Sequence, residues 1–125
     1  MAKADKRRQT PRLPKQVAGA IKAASEKKAD DLLVLDLRKA AGFTDYFVVC
    51  CGNNSRQVRA IADGIMDALA IDGVKPAHIE GYEGSEWILL DYFDFIVHVF
   101  APETRTFYDL ERLWGQAERV EVHDL

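Results

Sequence analysis

The chain has 125 residues and a mass of 14.1 kDa, enough for one domain with a core of its own. Its 48% hydrophobic and 30% charged residues are ordinary for a soluble globular protein. No apolar run approaches the ~20 residues of a membrane helix, and MAKADKRRQT leads into neither the apolar stretch of a secretory signal nor an acid-poor, Ser-rich transit peptide. The cytoplasm is the expected location.

Residues 1–14 read as a flexible extension, polar and punctuated by Pro11 and Pro14. Charge is uneven: residues 1–39 carry a formal +6 and residues 40–125 a formal −9. Lys3, Lys6, Arg7, Arg8, Arg12 and Lys15 form either a solvated tail, the plainer account, or an arm attracted to a polyanion such as RNA. The acidic remainder argues against sequence-specific nucleic-acid recognition by the domain itself.

Helical periodicity then begins, with Val17, Ala20, Ile21 and Ala24 on one face and Lys22, Lys27 and Lys28 off it. Leu32–Leu37 reads as a buried strand, 38–44 as a loop, and Asp45–Gly52 as a second strand rich in aromatic and β-branched residues. Cys50 and Cys51 are neighbours on that strand and point to opposite faces, so they read as two buried thiols. A redox pair is the sharper alternative, although the spaced C-x-x-C form is missing.

Asn53, Asn54 and Ser55 supply capping oxygens, and Val58, Ile61, Ala62, Ile65 and Leu69 form one stripe, predicting a helix over Ser55–Ile71 closed by Gly73. Ala77–Gly81 reads as a short strand and 82–86 as a turn. Trp87–Tyr92 and Phe95–Phe100 are two strands of a tight hairpin. Pro102 opens a last helix carrying Phe107, Leu110 and Trp114, closed by Gly115, and 116–125 reads as a loose tail. The domain thus spans 15–115. The order α-β-β-α-β-β-β-α predicts an α/β fold, a mixed β-sheet flanked by helices with a helical crossover.

The hairpin concentrates the functional signal. With Phe93 and Asp94 as a two-residue loop, one face holds Ile88, Leu90, Tyr92, Phe95, Val97 and Val99, all suited to a core. The other holds Trp87, Leu89, Asp91, Ile96, His98 and Phe100. Asp91 and His98 leave two readings open: a partner-binding or partly covered face, or a buried face with both residues at its rim.

Other chemistry is thinly supported. Asp91 and Asp94 lack the i, i+2 spacing that aims two strand carboxylates at one metal. Gly52–Ser55 follows a strand and precedes a helix, the context of a phosphate cradle, without the lysine and glycines of a P-loop. His78, His98 and His123 sit in different elements with no zinc spacing. No serine has an adjacent base.

LLVLDLR, TDYFVVCCGNNSRQVRAIAD, EGYEGSEWILLDYFDFIVHVF and ETRTFYDLERLW, in that order, resemble the Iojap family of ribosomal silencing factors (RsfS) over roughly Val17–Trp114. The resemblance implies a nucleotidyltransferase-like fold without the catalytic carboxylate motif, and no enzymatic activity or cofactor. It also implies a translational repressor that binds ribosomal protein fourteen of the large subunit, blocks joining of the small subunit when nutrients run short, and forms homodimers. By position it points to Trp87, Leu90 and Asp91, with Tyr108, Leu110, Glu111 and Trp114, as the partner-binding residues. The hairpin register sets Trp87 and Leu90 on opposite faces, so that surface draws on the hairpin's edge or end as well. The basic extension departs from shorter family members and is a candidate for touching ribosomal RNA. A nucleotide-binding enzyme built on Gly52–Ser55 with Asp91 or Asp94, and a redox switch at Cys50–Cys51, are the competing readings.

Overall fold

The structure is a computed structural model and describes residues 13–40, 42–104 and 117–120. Helix α1 (Lys15–Glu26) starts directly after Pro14, whose carbonyl accepts from the Ala18 amide at 3.0 Å. Proline has no amide to lose there and its φ of −57° leads into the first turn. The predicted stripe of Val17, Ala20, Ile21 and Ala24 is buried.

Strand β1 (Asp30–Asp36) pairs antiparallel with β2 (Tyr46–Cys51). Both lie within a residue or two of the sequence reading. A register shift between Asp30 and Leu33 accompanies Asp31 at φ 51°, a left-handed conformation that aspartate tolerates better than most residues.

Helix α2 spans Ser55–Ile71, as its stripe predicts. Its cap is Asn54, whose side-chain oxygen accepts from the Gln57 amide at 2.9 Å, while the Gln57 side-chain oxygen accepts from the Asn53 amide at 2.6 Å. The Gln57 side-chain nitrogen donates to the carbonyls of Lys27 and Lys28 at 3.2 and 3.1 Å, so one side chain closes α2 and ties it to the end of α1. Gly52 is needed here because a Cβ would meet the Val58 nitrogen at 2.8 Å.

Beyond α2 come β3 (His78–Glu80), β4 (Trp87–Asp91) and β5 (Phe95–Phe100). Residues 102–104 are helical, as Pro102 predicts, and the rest of the expected last helix lies outside the described residues. The loose tail expected over 116–125 instead contributes β6 (Glu118–Val120), which pairs with the outer edge of β1 through Val34↔Val120. Three residues of mixed character carry no period of their own; the neighbouring edge supplies the order.

The sheet is six-stranded and mixed, in the order β3-β4-β5-β2-β1-β6, with β2 and β5 parallel at its centre and every other pair antiparallel. Helices α1 and α2 pack on one face, over Val34, Val48, Cys50, Ile88, Leu90, Val97 and Val99. Each large apolar side chain removed from water there stabilises the fold by roughly 1.5–3 kcal/mol. At the margin of this face Tyr92 stacks on Phe95 at 4.9 Å, and its buried hydroxyl has no partner, so burial pushes its pKa up to about 12.

The other face is built from Leu35, Phe47, Val49, Cys51, Ile96 and Phe100, with Leu37 just beyond β1 and Trp87 and Leu89 packed alongside. Cys50 and Cys51 are buried on opposite faces, as their adjacency requires.

Candidate partner-binding surface

The β4–β5 hairpin has the predicted register. Leu90 pairs with Val97, and the Tyr92 amide donates to the Phe95 carbonyl at 2.9 Å across a loop of Phe93 and Asp94. Asp91 Oδ1 accepts from the Phe93 amide at 2.9 Å, and Phe93 takes φ 73°. The Thr44 hydroxyl donates to the Phe93 carbonyl and the Asp45 amide to the Asp94 carbonyl, both at 2.9 Å, fastening this tip to the β1–β2 loop.

Trp87 opens β4 after a turn that is rigid for identifiable reasons. Gly81 has φ 78°, and a Cβ there would stand 2.0 Å from the Trp87 carbonyl oxygen. Ser85, at φ 58° and buried, donates from its hydroxyl to the Tyr82 carbonyl at 2.9 Å. The Tyr82 hydroxyl donates to both Asp63 oxygens, at 2.9 and 3.1 Å, which anchors the turn to α2 and raises the tyrosine's pKa. Glu86 fixes the last step by accepting at its carbonyl from the Ala101 amide.

Trp87 is half-buried and faces Phe100 across the pair, with ring centroids 5.1 Å apart. His98 lies on the adjacent diagonal, and the indole Nε1–H donates to His98 Nδ1 at 3.0 Å. The imidazole is 4% exposed and meets Phe47 edge-on at 4.5 Å. Accepting at Nδ1 requires the proton on Nε2, and that buried nitrogen has no hydrogen-bond partner. Burial pushes the His98 pKa down to about 3, so the ring stays neutral. An orphaned buried donor costs about 1–3 kcal/mol. A hollow of about 200 Å³ opens beside Trp87, lined by Gly81, Gly84, Glu86, Trp87 and Thr104.

The structure sorts the sequence-derived site residues. Trp87 and Asp91 are half-buried on the face opposite α1 and α2. Leu90 is wholly buried beneath the helices, so its inclusion among surface anchors is corrected: alternation along β4 leaves it no route to the outside. Tyr108, Leu110, Glu111 and Trp114 lie outside the described residues. His98 is inside the second face instead of at its rim, because the Trp87 indole supplies the partner that makes its burial tolerable. Residue types alone did not reveal the Trp87–His98–Phe47–Phe100 cluster: the hairpin register implies Trp87, His98 and Phe100, whereas Phe47 arrives through the β2–β5 pairing.

The nucleotide-binding alternative loses its geometry. Cys51 pairs with Phe100, so Gly52–Ser55 lies past one end of the strands, whereas Asp91 and Asp94 lie at the other end beside Phe95. Five residue steps separate the ends, about 17 Å at ~3.3 Å per residue. Asn54 is occupied by capping. Among the described residues, no group of three His, Cys, Asp or Glu is placed to hold a metal ion, and no helix is long and apolar enough to cross a membrane.

A family model described as "Ribosomal silencing factor during starvation" (RsfS) matches residues 10–125. The chain belongs to the RsfS family.

It is 41% identical to the ribosomal silencing factor RsfS of Bacillus subtilis, over 82% of this chain and 87% of that protein. It is 37% identical to the chloroplastic protein Iojap of Zea mays, over 81% of this chain and 44% of that longer protein. An X-ray structure of a Chromobacterium violaceum protein superposes with a TM-score of 0.80 at 32% identity, over 92% of this chain and 95% of that one. The six-stranded mixed sheet with its helices is therefore a fold that a similar sequence adopts in a crystal as well.

Proposed function

We propose that this protein is a cytoplasmic translational repressor that docks on the large ribosomal subunit through ribosomal protein fourteen. There it stands where the small subunit would bind, and lowers translation when nutrients are limiting. The block is steric and needs no turnover. The observation that carries this reading is the RsfS match along residues 10–125. The half-buried Trp87 supports it, since it is seated on a turn with little freedom and flanked by a hollow. Large aromatics held in this way dominate many protein interfaces.

In the same reading Trp87 and Asp91 contact the partner together with Tyr108, Leu110, Glu111 and Trp114. The free protein forms homodimers, and the basic residues 1–15 reach ribosomal RNA. The test is co-sedimentation with separated subunits. The wild-type chain pellets with large subunits only, and Trp87→Ala or charge reversal at Glu111 lowers affinity about thirtyfold or more with the melting temperature retained. Undiminished binding by both variants removes the site; failure of the wild type to bind removes the function.

A further inference from the structure

The geometry points to His98 as the positioning residue that presets the Trp87 indole for docking. The inference rests on the docking reading above and adds a residue that reading does not include.

His98 sits among Phe47, Ile96 and Phe100, on a sheet face where an aliphatic or phenyl side chain would bring no polar atom of its own to bury. The imidazole is kept there with its Nε2 orphaned, and the hydrogen bond it does make is the one to the Trp87 indole. Phe100, stacked on Trp87 at 5.1 Å, fixes the tilt of the indole ring, whereas the 3.0 Å bond to Nδ1 fixes which edge of the ring points inward. Phe47, edge-on to His98 at 4.5 Å, holds the imidazole in turn.

Together these contacts hold the indole in one orientation, with its polar nitrogen spent internally. A side chain ordered beforehand loses less freedom on binding, which raises affinity without any new contact. Burial keeps the acceptor neutral throughout the physiological pH range, so the preset does not come and go with pH.

The experiment uses the full chain, purified large subunits, and the variants His98→Leu, His98→Asn and Trp87→Phe. The side-chain carbonyl introduced by His98→Asn can occupy the Nδ1 position and accept from the indole; the leucine of His98→Leu cannot. His98→Leu is expected to weaken large-subunit binding about five- to tenfold while remaining folded, and His98→Asn to recover most of that loss. In a Trp87→Phe background, where no indole N–H exists, His98→Leu should cost nothing further. The indole N–H resonance of Trp87, assigned by its loss in Trp87→Phe, should exchange slowly in the wild type and at least tenfold faster in His98→Leu.

Wild-type binding by a folded His98→Leu, or an equal loss in the Trp87→Phe background, overturns the inference. So does an indole proton equally protected in both proteins. If the wild type does not bind large subunits, the docking reading falls, and the indole exchange alone then decides whether His98 orients Trp87.

Discussion

The two faces of the sheet solve the same burial problem with different chemistry. The face under α1 and α2 is aliphatic at its centre, with Val34, Val48, Val97, Val99, Ile88 and Leu90 meeting Ile21, Ile61 and Ile65, and Tyr46, Tyr92 and Phe95 gathered at one end. The opposite face carries Phe47, Trp87, His98 and Phe100 in linked ring contacts, with a directional hydrogen bond at its centre. Aliphatic packing is tolerant of detail and supplies stability. Stacked rings linked by a hydrogen bond fix orientation. One strand, β4, serves both by alternation, so neighbours such as Leu89 and Leu90 contribute to different properties.

Replacing one side chain on each face separates these properties. Leu90→Ala, on the aliphatic face, should cost about 2–5 kcal/mol in urea unfolding, because the lost methyls leave a cavity the helices cannot fill. A loss below about 1 kcal/mol would mean that this face is loosely packed and the contrast is overstated.

Acid offers the next largest effect, and it acts on the aromatic face. The His98 pKa is lowered from 6.5 to about 3, so below pH ~6.5 the unfolded chain binds a proton that the folded chain refuses. Stability should therefore fall by about 1.4 kcal/mol per pH unit from this group between pH ~6.5 and ~3. Asp36, lowered chiefly by its hydrogen bond from Arg38, adds to the slope only at pH values where an ordinary aspartate would protonate, below about 3.8. Denaturant titrations of wild type and His98→Asn should diverge between about pH 6 and 4; parallel curves would place the imidazole in contact with water.

The smallest effect loosens the cover of the aliphatic face without touching its core. Asn54→Ala removes the cap of α2 and should cost about 1 kcal/mol. Faster amide exchange should be confined to the start of α2 and the end of α1, which Gln57 joins. Uniform acceleration across the sheet would show that the cap is coupled to the whole fold.

How much of this was legible in the sequence differs between the faces for the same reason. Aliphatic stripes announce themselves by period, which is why Ser55–Ile71 and the alternation of Ile88 and Leu90 could be read directly. The two-residue loop at Phe93 and Asp94 then fixed the hairpin register, with Trp87 opposite Phe100 and diagonal to His98. Hydropathy still sends an imidazole to the rim, because nothing in a linear pattern says that an indole N–H will meet it. Strand β6 was hidden for a related reason: Glu118–Val120 acquires its extended form from the edge of β1, a partner distant in sequence. The separation of Gly52–Ser55 from Asp91 and Asp94 likewise needed the β2–β5 register, which local pattern does not encode.

The parallel pairing of Tyr46–Cys51 with Phe95–Phe100 sets the tempo at which the molecule can form. Its partners come from opposite halves of the chain with all of α2 between them, so closing the middle of the sheet requires a long loop to be ordered before any contact rewards it. The local β1–β2 and β4–β5 contacts can form early, but the sheet's centre must wait for β5. On a translating ribosome, β2 waits with one edge unsatisfied until Phe100 has left the exit tunnel. Folding of this chain should be slow for its size, and residues 46–51 are the stretch most exposed to mispairing in the interval.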